Sequence, residues 1–415
     1  MLHPKMKHVY VGVDIHRQTH TAAIINCFGE KLGEITFFNK PSDFTTLLKE
    51  VKKHISKGIT AIYGLEDVSG SGRKLASFLL DKKASVKHVN PSLTQVERKT
   101  QSVYHKTDSY DALCVARILL SRFNELPEAN PQDNYWALSQ LVARRNSMVK
   151  QITALNNQIQ SMVIQNYPSY RKFFYIFDGK CAMEFWETYP SPLKLQNVLV
   201  TELGEFLYQH SSRFFGEKKA KEILNYVEKD GNTITSYQDT RDFIVSSSIR
   251  QLKNVKSEML KVEEEIKIIL PEFGLKLRTM GGIDYITEAS LIAEIGDIRR
   301  FSNSAKLAKY AGISPISYSS GKTDKLLCNA LGDRRLNSLI HSLAVKVSNN
   351  AGDSGKAVNP IFYDYYRKKL REGKTKKQAL KCVSRRLVNI IYGMMKNKTE
   401  YTRAINLSLQ NTQDK

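Results

Sequence analysis

The chain has 415 residues, 63 Lys+Arg against 41 Asp+Glu, and a formal net charge of +22. At roughly 100–200 residues per domain this length predicts two or three domains, and an apolar share of 41% with 25% charged residues excludes wholesale disorder. No apolar run approaches the roughly 18 residues of a membrane span, and Met1–His8 is short, basic and followed by no apolar leader segment, which disfavours a secreted or membrane protein.

Residues 8–14 read as a buried strand, 19–27 as a second, and 34–38 as a third, with a Phe28-Gly29-Glu30 turn between the last two. The three predict an antiparallel meander. Pro41-Ser42-Asp43 starts an amphipathic helix over 44–54. A fourth strand follows at 60–65, then a helix at 73–80, a fifth strand at 85–89 ending at Asn90-Pro91, and a helix at 107–121. Three strands, helix, strand, helix, strand, helix is the order of an RNase H-like (RuvC-like) domain, so the fold class is α/β for residues 1–128.

Leu141, Met148, Ile152, Leu155, Ile159 and Met162 then recur at heptad spacing, as do Val245, Ile249, Leu252, Met259, Val262, Ile266 and Ile269. These predict two coiled-coil helices within 129–270, forming an intrachain hairpin, a dimer seam, or helices packed on a globular core. Between them, about 167–240, lies an aromatic-rich helical insert. Residues 271–415 read as all-α with glycine punctuation, and Met280-Gly281-Gly282-Ile283-Asp284 as the turn of a helix-hairpin-helix. From Arg367 to Arg386 ten basic residues stand against Glu372 alone, with Tyr363, Tyr365 and Tyr366 just before them. That run, within a +22 chain, predicts a surface that contacts phosphates.

Asp14 ends the first strand and Glu66 follows the fourth, its neighbour in this topology. Asp108 and Asp111, three apart at a helix start, share one face. Four converging carboxylates repel one another unless a hard divalent cation joins them, and Mg²⁺ (or Mn²⁺) suits such an oxygen set. Such ions support phosphoryl transfer. His16 and His20 are spaced i, i+4 on a strand-turn segment, which argues against a zinc pair; His105 lies three residues before Asp108. The five cysteines have no C-x-x-C spacing, as expected in a reducing cytoplasm.

At these residues the sequence resembles the D-E-D-D insertion-sequence transposases related to Piv-type DNA invertases, regarded as bridge-RNA-guided serine recombinases. The resemblance rests on Val11-Gly12-Val13-Asp14, Gly64-Leu65-Glu66 with Ser69-Gly70, Val89-Asn90-Pro91 and Lys106-Thr107-Asp108-Ser109-Tyr110-Asp111-Ala112. A second block runs through Ala293-Glu294-Ile295-Gly296-Asp297-Ile298, Leu307-Ala308-Lys309-Tyr310-Ala311-Gly312-Ile313-Ser314-Pro315 and Ser319-Ser320-Gly321. It implies a C-terminal transposase domain over 271–415.

The resemblance further implies that Ser320, in a segment that reads as a loop, is the nucleophile, with Ser319 the neighbouring competitor. It would form a covalent phosphoserine link to DNA at a site completed by Asp14, Glu66, Asp108 and Asp111, the serine being contributed by another protomer. Donor and target DNA, a guide RNA and a homo-oligomer, dimer or tetramer, follow as partners, with a nucleoid-associated prokaryotic location. Relatives often read Pro-Gly-x-Gly where this chain has Gly281-Gly282-Ile283-Asp284. The alternative is an RNase H-like metal-dependent nuclease or junction resolvase using water. A sugar-kinase or actin-like ATPase lacks support from glycine-rich phosphate loops, and a non-enzymatic scaffold leaves the carboxylates unexplained.

Overall fold

The computed structural model describes residues 3–67, 70–100, 107–131, 133–314, 316–320, 323–327, 332–350 and 355–402, with backbone alone for Ser92, Asp133, 316–320 and 323–327. It divides into two compact units, Met1–Ala137 with Gly296–Lys306, and Leu138–Ile295 with Leu307–Lys415.

The first unit follows the predicted element order. Strands β1 (His8–Ile15), β2 (Thr19–Ile25) and β3 (Lys31–Phe38) lead to helix α1 (Pro41–Lys53). Then come β4 (Thr60–Leu65), α2 (Arg73–Asp81), β5 (Ser85–His88), α3 (Pro91–Thr100) and α4 (Asp108–Arg122). The sheet order is β3-β2-β1-β4-β5. β1, β2 and β3 pair antiparallel, as the meander requires, while β1, β4 and β5 pair parallel. Helix α3 is an addition to the predicted order: Pro91, which closes strand β5 in a sequence reading, occupies the first helical position, where its missing N–H costs nothing.

The strand period of two sorts β1 between two cores. Val9, Val11 and Val13 pack with Phe44, Leu47, Leu75 and Leu79 of α1 and α2. Tyr10 packs on the opposite face with Val115, Ala116 and Leu119 of α4. Gly12 and Asp14 share that second face. A Cβ at Gly12 would overlap the Ala116 nitrogen and the Ala112 oxygen and lie 2.8 Å from the Ala116 Cα. Strand and helix therefore meet backbone to backbone, and only glycine fits. This approach draws the start of α4 to the end of β1.

In the second unit two long helices, α5 (Asp133–Asn166) and α9 (Gln238–Ile269), enclose α6 (Lys180–Thr188), α7 (Val200–His210) and α8 (Glu217–Asp230). The long helices run antiparallel. Gln238 at the start of α9 donates to Asn166 at the end of α5 (3.3 Å), and Arg145 pairs with Glu263 at 3.0 Å. Leu155, Ile159 and Val163 share one core with Val245, Ile249 and Leu252, so at this end the heptad seam closes within the chain. Trp186 stacks between Phe173 and Phe177 at centroid distances of 5.8 and 5.5 Å and anchors the insert.

Beyond it lie α10 (Tyr285–Ile295), α11 (Ser304–Tyr310), strands β6 (Ile316–Ser320) and β7 (Thr323–Leu327), and α12 (Arg334–Val347), α13 (Pro360–Arg371) and α14 (Lys376–Asn397). The expectation that this region is wholly helical is corrected here. β6 and β7 pair antiparallel with Ser320 opposite Thr323, because alternation in Ile316-Ser317-Tyr318-Ser319 suits a strand where a glycine-flanked Ser-Ser reads locally as loop. The Met280–Asp284 turn is also occupied. A Cβ on Gly281 would stand 2.7 Å from the Val358 oxygen, and Asp284 accepts from Thr287 N–H at 2.8 Å and pairs with Lys346 at 2.9 Å. A phosphate there would meet a carboxylate already engaged in the turn.

Candidate metal centre

β1 and β4 are parallel neighbours with Gly12 opposite Gly64 and Val13 opposite Leu65. Asp14 and Glu66 are each one residue further on, at the carboxyl ends of adjacent parallel strands, where α/β sheets collect ligands. Asp108 and Asp111 occupy the first turn of α4, capped by the Thr107 hydroxyl accepting from Tyr110 N–H at 3.2 Å. The positive end of that helix favours both carboxylates. Asp111 faces the sheet with Ala112, Val115 and Ala116 and is 5% exposed, whereas Asp108 is exposed.

Asp14 is the buried member, also 5% exposed. Its Oδ2 is sealed from solvent and, among the described residues, satisfied by no hydrogen bond. Burial first, then the carboxylates of Asp111, Glu66 and Asp108, push its carboxyl up to about 6; His16 pulls the other way. These are the four acids that the sequence singles out, the other three close enough to act on the charge of Asp14, though of the four only Asp14 and Asp108 fall within ligand spacing of a common ion among the described residues.

Two basic side chains answer them. His16 Nε2 stands 3.1 Å from Asp14 Oδ2 and 3.2 Å from Asp108 Oδ1. Arg98 of α3 reaches Asp111 Oδ1 at 2.6 Å. Sequence reasoning gives neither a part. It sets His16 only beside His20, and the structure separates that pair. His20 is fully buried against Phe37 and Phe44, with ring centroids 5.5 and 6.4 Å away. His16 sits on the turn after β1, its N–H bonded to the Thr19 carbonyl at 3.2 Å. The signal that could have found it is its place two residues after Asp14, at the same sheet edge.

Asp14, His16 and Asp108 form a group whose donor atoms all lie within 4.8 Å of one another, a spacing that suits one metal ion. His105 and Lys106 lie outside the described residues, as do Ser69, Pro315 and Gly321. Ser320 closes strand β6, its backbone alone being described.

A carboxylate cluster at the ends of parallel strands, closed by an acidic helix start, marks this unit as a candidate divalent-metal domain. A transposase model of the DEDD type named for IS110 matches residues 11–168, and a model described as transposase IS116/IS110/IS902 family matches residues 275–367. Together they cover more than half of the sequence, and the chain belongs to the IS110/IS116 transposase family. It is 24% identical to an uncharacterized 43.6 kDa protein of insertion element IS110 from Streptomyces coelicolor, over 95% of each chain. It is 23% identical to the 44.8 kDa protein of IS116 from Streptomyces clavuligerus, over 95% of this chain and 96% of the relative. Identity to the pilin gene-inverting protein of Moraxella lacunata is 23%, over 96% of this chain and 99% of the relative.

Proposed function

We propose that this protein is a DNA transposase or recombinase of a mobile insertion element, whose RNase H-like domain works on DNA phosphates at Asp14, Glu66, Asp108 and Asp111. The observation that carries this reading is Asp14: a buried carboxylate whose Oδ2 makes no hydrogen bond among the described residues and has the His16 ring 3.1 Å away, beside three further acids. Burying such a charge is costly unless a cation compensates it. The donor set fits Mg²⁺ or Mn²⁺. When bound, such an ion stabilises charge developing on the phosphate and the leaving oxygen.

The Ser320 hydroxyl is the nucleophile in this reading. Its oxygen bonds to the scissile phosphorus as the bond to the 3′ oxygen breaks; the serine proton passes to solvent, and the departing oxygen takes a proton from solvent to become a 3′-hydroxyl. The phosphoserine link conserves the phosphodiester energy. Attack by the 3′-hydroxyl of another strand reverses the step, frees the serine and completes the exchange.

Charge distribution supports DNA, and a guide RNA, as partners. Residues 272–415 hold 26 Lys+Arg against 12 Asp+Glu. Arg367, Lys368, Arg371, Lys374, Lys376 and Lys377 on α13, α14 and the turn between them are all exposed. No described helix is long and apolar enough to cross a membrane. The working assembly in this reading is a dimer or tetramer on nucleoid DNA.

The test is adduct trapping on a nicked DNA carrying an element end, with the element's own transcript supplied. The full-length protein becomes linked to a 5′-phosphate end, and the Ser320→Ala variant forms no adduct and no free ends. Cleavage by Ser320→Ala with free 5′-phosphates would establish the water-using nuclease instead.

A further inference from the structure

His16 holds a position that the four-carboxylate reading leaves without a purpose. Its Nε2 stands almost equally far from Asp14 Oδ2 (3.1 Å) and Asp108 Oδ1 (3.2 Å). One imidazole nitrogen carries at most one hydrogen and can give a straight hydrogen bond to only one of these oxygens, sharing it with the other at a loss of geometry. Two donor atoms on adjacent corners of an octahedral ion with bonds of ~2.1 Å stand about 3.0 Å apart, √2 times the bond length. Both separations match that edge, and all three atoms lie within 4.8 Å of one another. Asp14 Oδ2 is itself buried and makes no hydrogen bond among the described residues, its close polar contact being the His16 nitrogen.

We propose that His16 is a direct nitrogen ligand of the ion held by Asp14 and Asp108, so that this centre is a mixed nitrogen–oxygen site which prefers a first-row transition ion to magnesium. The inference rests on reading the acid cluster as a metal site and specifies what that site takes. Magnesium binds oxygen donors and gives up its waters reluctantly, so an imidazole adds little to its affinity. Imidazole is a good donor to first-row transition ions. Manganese stands at the weak end of that series, so a preference for it over magnesium is the demanding case.

The experiment uses the full-length protein freed of metal, with MnCl₂ and MgCl₂ as probes. Mn²⁺ affinity is read from the loss of the free-ion EPR signal and Mg²⁺ affinity by competition. Pulsed EPR of the Mn²⁺ complex detects a directly bonded nitrogen, whose coupling changes when the protein carries ¹⁵N-histidine. The expected results are histidine nitrogen coupling in the wild type and Mn²⁺ bound tighter than Mg²⁺. His16→Ala should weaken Mn²⁺ by roughly tenfold or more, abolish the coupling, and leave Mg²⁺ within about twofold. Tight, Asp14-dependent Mn²⁺ binding without nitrogen coupling would overturn the proposal, reducing His16 to a charge-balancing neighbour, while the carboxylate metal site stands. Binding indifferent to Asp14→Asn would overturn both. The labelled wild type decides the matter even where a variant fails to fold.

Discussion

At the scale of the residue, Asp14 is a stability cost at the proposed metal site. Its carboxyl is pushed from 3.8 up to about 6 by burial and by Asp111, Glu66 and Asp108, against the opposing pull of His16. Between those two values the folded state holds a proton that the unfolded chain has released, so stability falls as pH rises through that window. Above it the penalty is complete. Asp14→Asn therefore stabilises the metal-free protein at about pH 8, by up to about 3 kcal/mol, since each pH unit separating the two values is worth ~1.4 kcal/mol. The advantage shrinks toward the lower value. Urea titrations in chelator across this range check it; an Asn variant less stable than wild type at the alkaline end would show that the carboxylate is well solvated. His16 makes a second point. Its i, i+4 relation to His20 is the conspicuous pattern in the sequence, yet a strand end sends one ring into the core and leaves the other at the acid cluster.

At the scale of the element, the site depends on how closely β1 and α4 approach. A side chain at Gly12 would collide with helix backbone, which cannot yield without moving the helix. Gly64 on the neighbouring strand faces the side chains of Val89, Leu119 and Val115 at 3.2–3.3 Å, which can shift slightly. Gly12→Ala is expected to cost about 3 kcal/mol or more, or to prevent folding, and Gly64→Ala about 1 kcal/mol. Equal destabilisation of the two variants in denaturant melts would contradict the close approach. The long helices show what heptads leave open. Their spacing allows a hairpin or a seam between copies; Gln238 meeting Asn166 and Arg145 meeting Glu263 make the hairpin. Glu263 also accepts from the Tyr285 hydroxyl at 2.9 Å, so α10 is tied to the same polar cluster.

At the scale of the whole molecule, charge is unevenly shared. The insert, 167–237, holds nine basic and nine acidic residues, while 272–415 carries an excess of fourteen positive charges. Nucleic-acid binding is therefore expected to draw on the C-terminal region and to spare the insert. Replacing Arg371, Lys374, Lys376 and Lys377 together by Gln should flatten the dependence of log K on log salt by about 0.9 for each phosphate that is no longer neutralised. Replacing Lys218 and Lys221 of α8 should leave the slope unchanged. Fluorescence anisotropy over a salt series, with circular dichroism to confirm folding, separates the two sets; an equal effect would place the phosphate-binding surface elsewhere.

Much of this is settled by local sequence. Strand and helix order in residues 8–122 follows from side-chain period, proline and glycine, because those signals act over a few residues. The four acids stand out because each sits at the end of an element, where the parallel pairing of β1 with β4 and the first turn of α4 gather them. Tertiary packing decides the rest. Only the backbone approach at Gly12 brings α4 to the sheet, only the β1–β2 turn sets His16 between two carboxylates, and only cross-strand pairing turns Ser319-Ser320 from apparent loop into strand. Those outcomes depend on partners distant along the chain, whose approach no local pattern encodes.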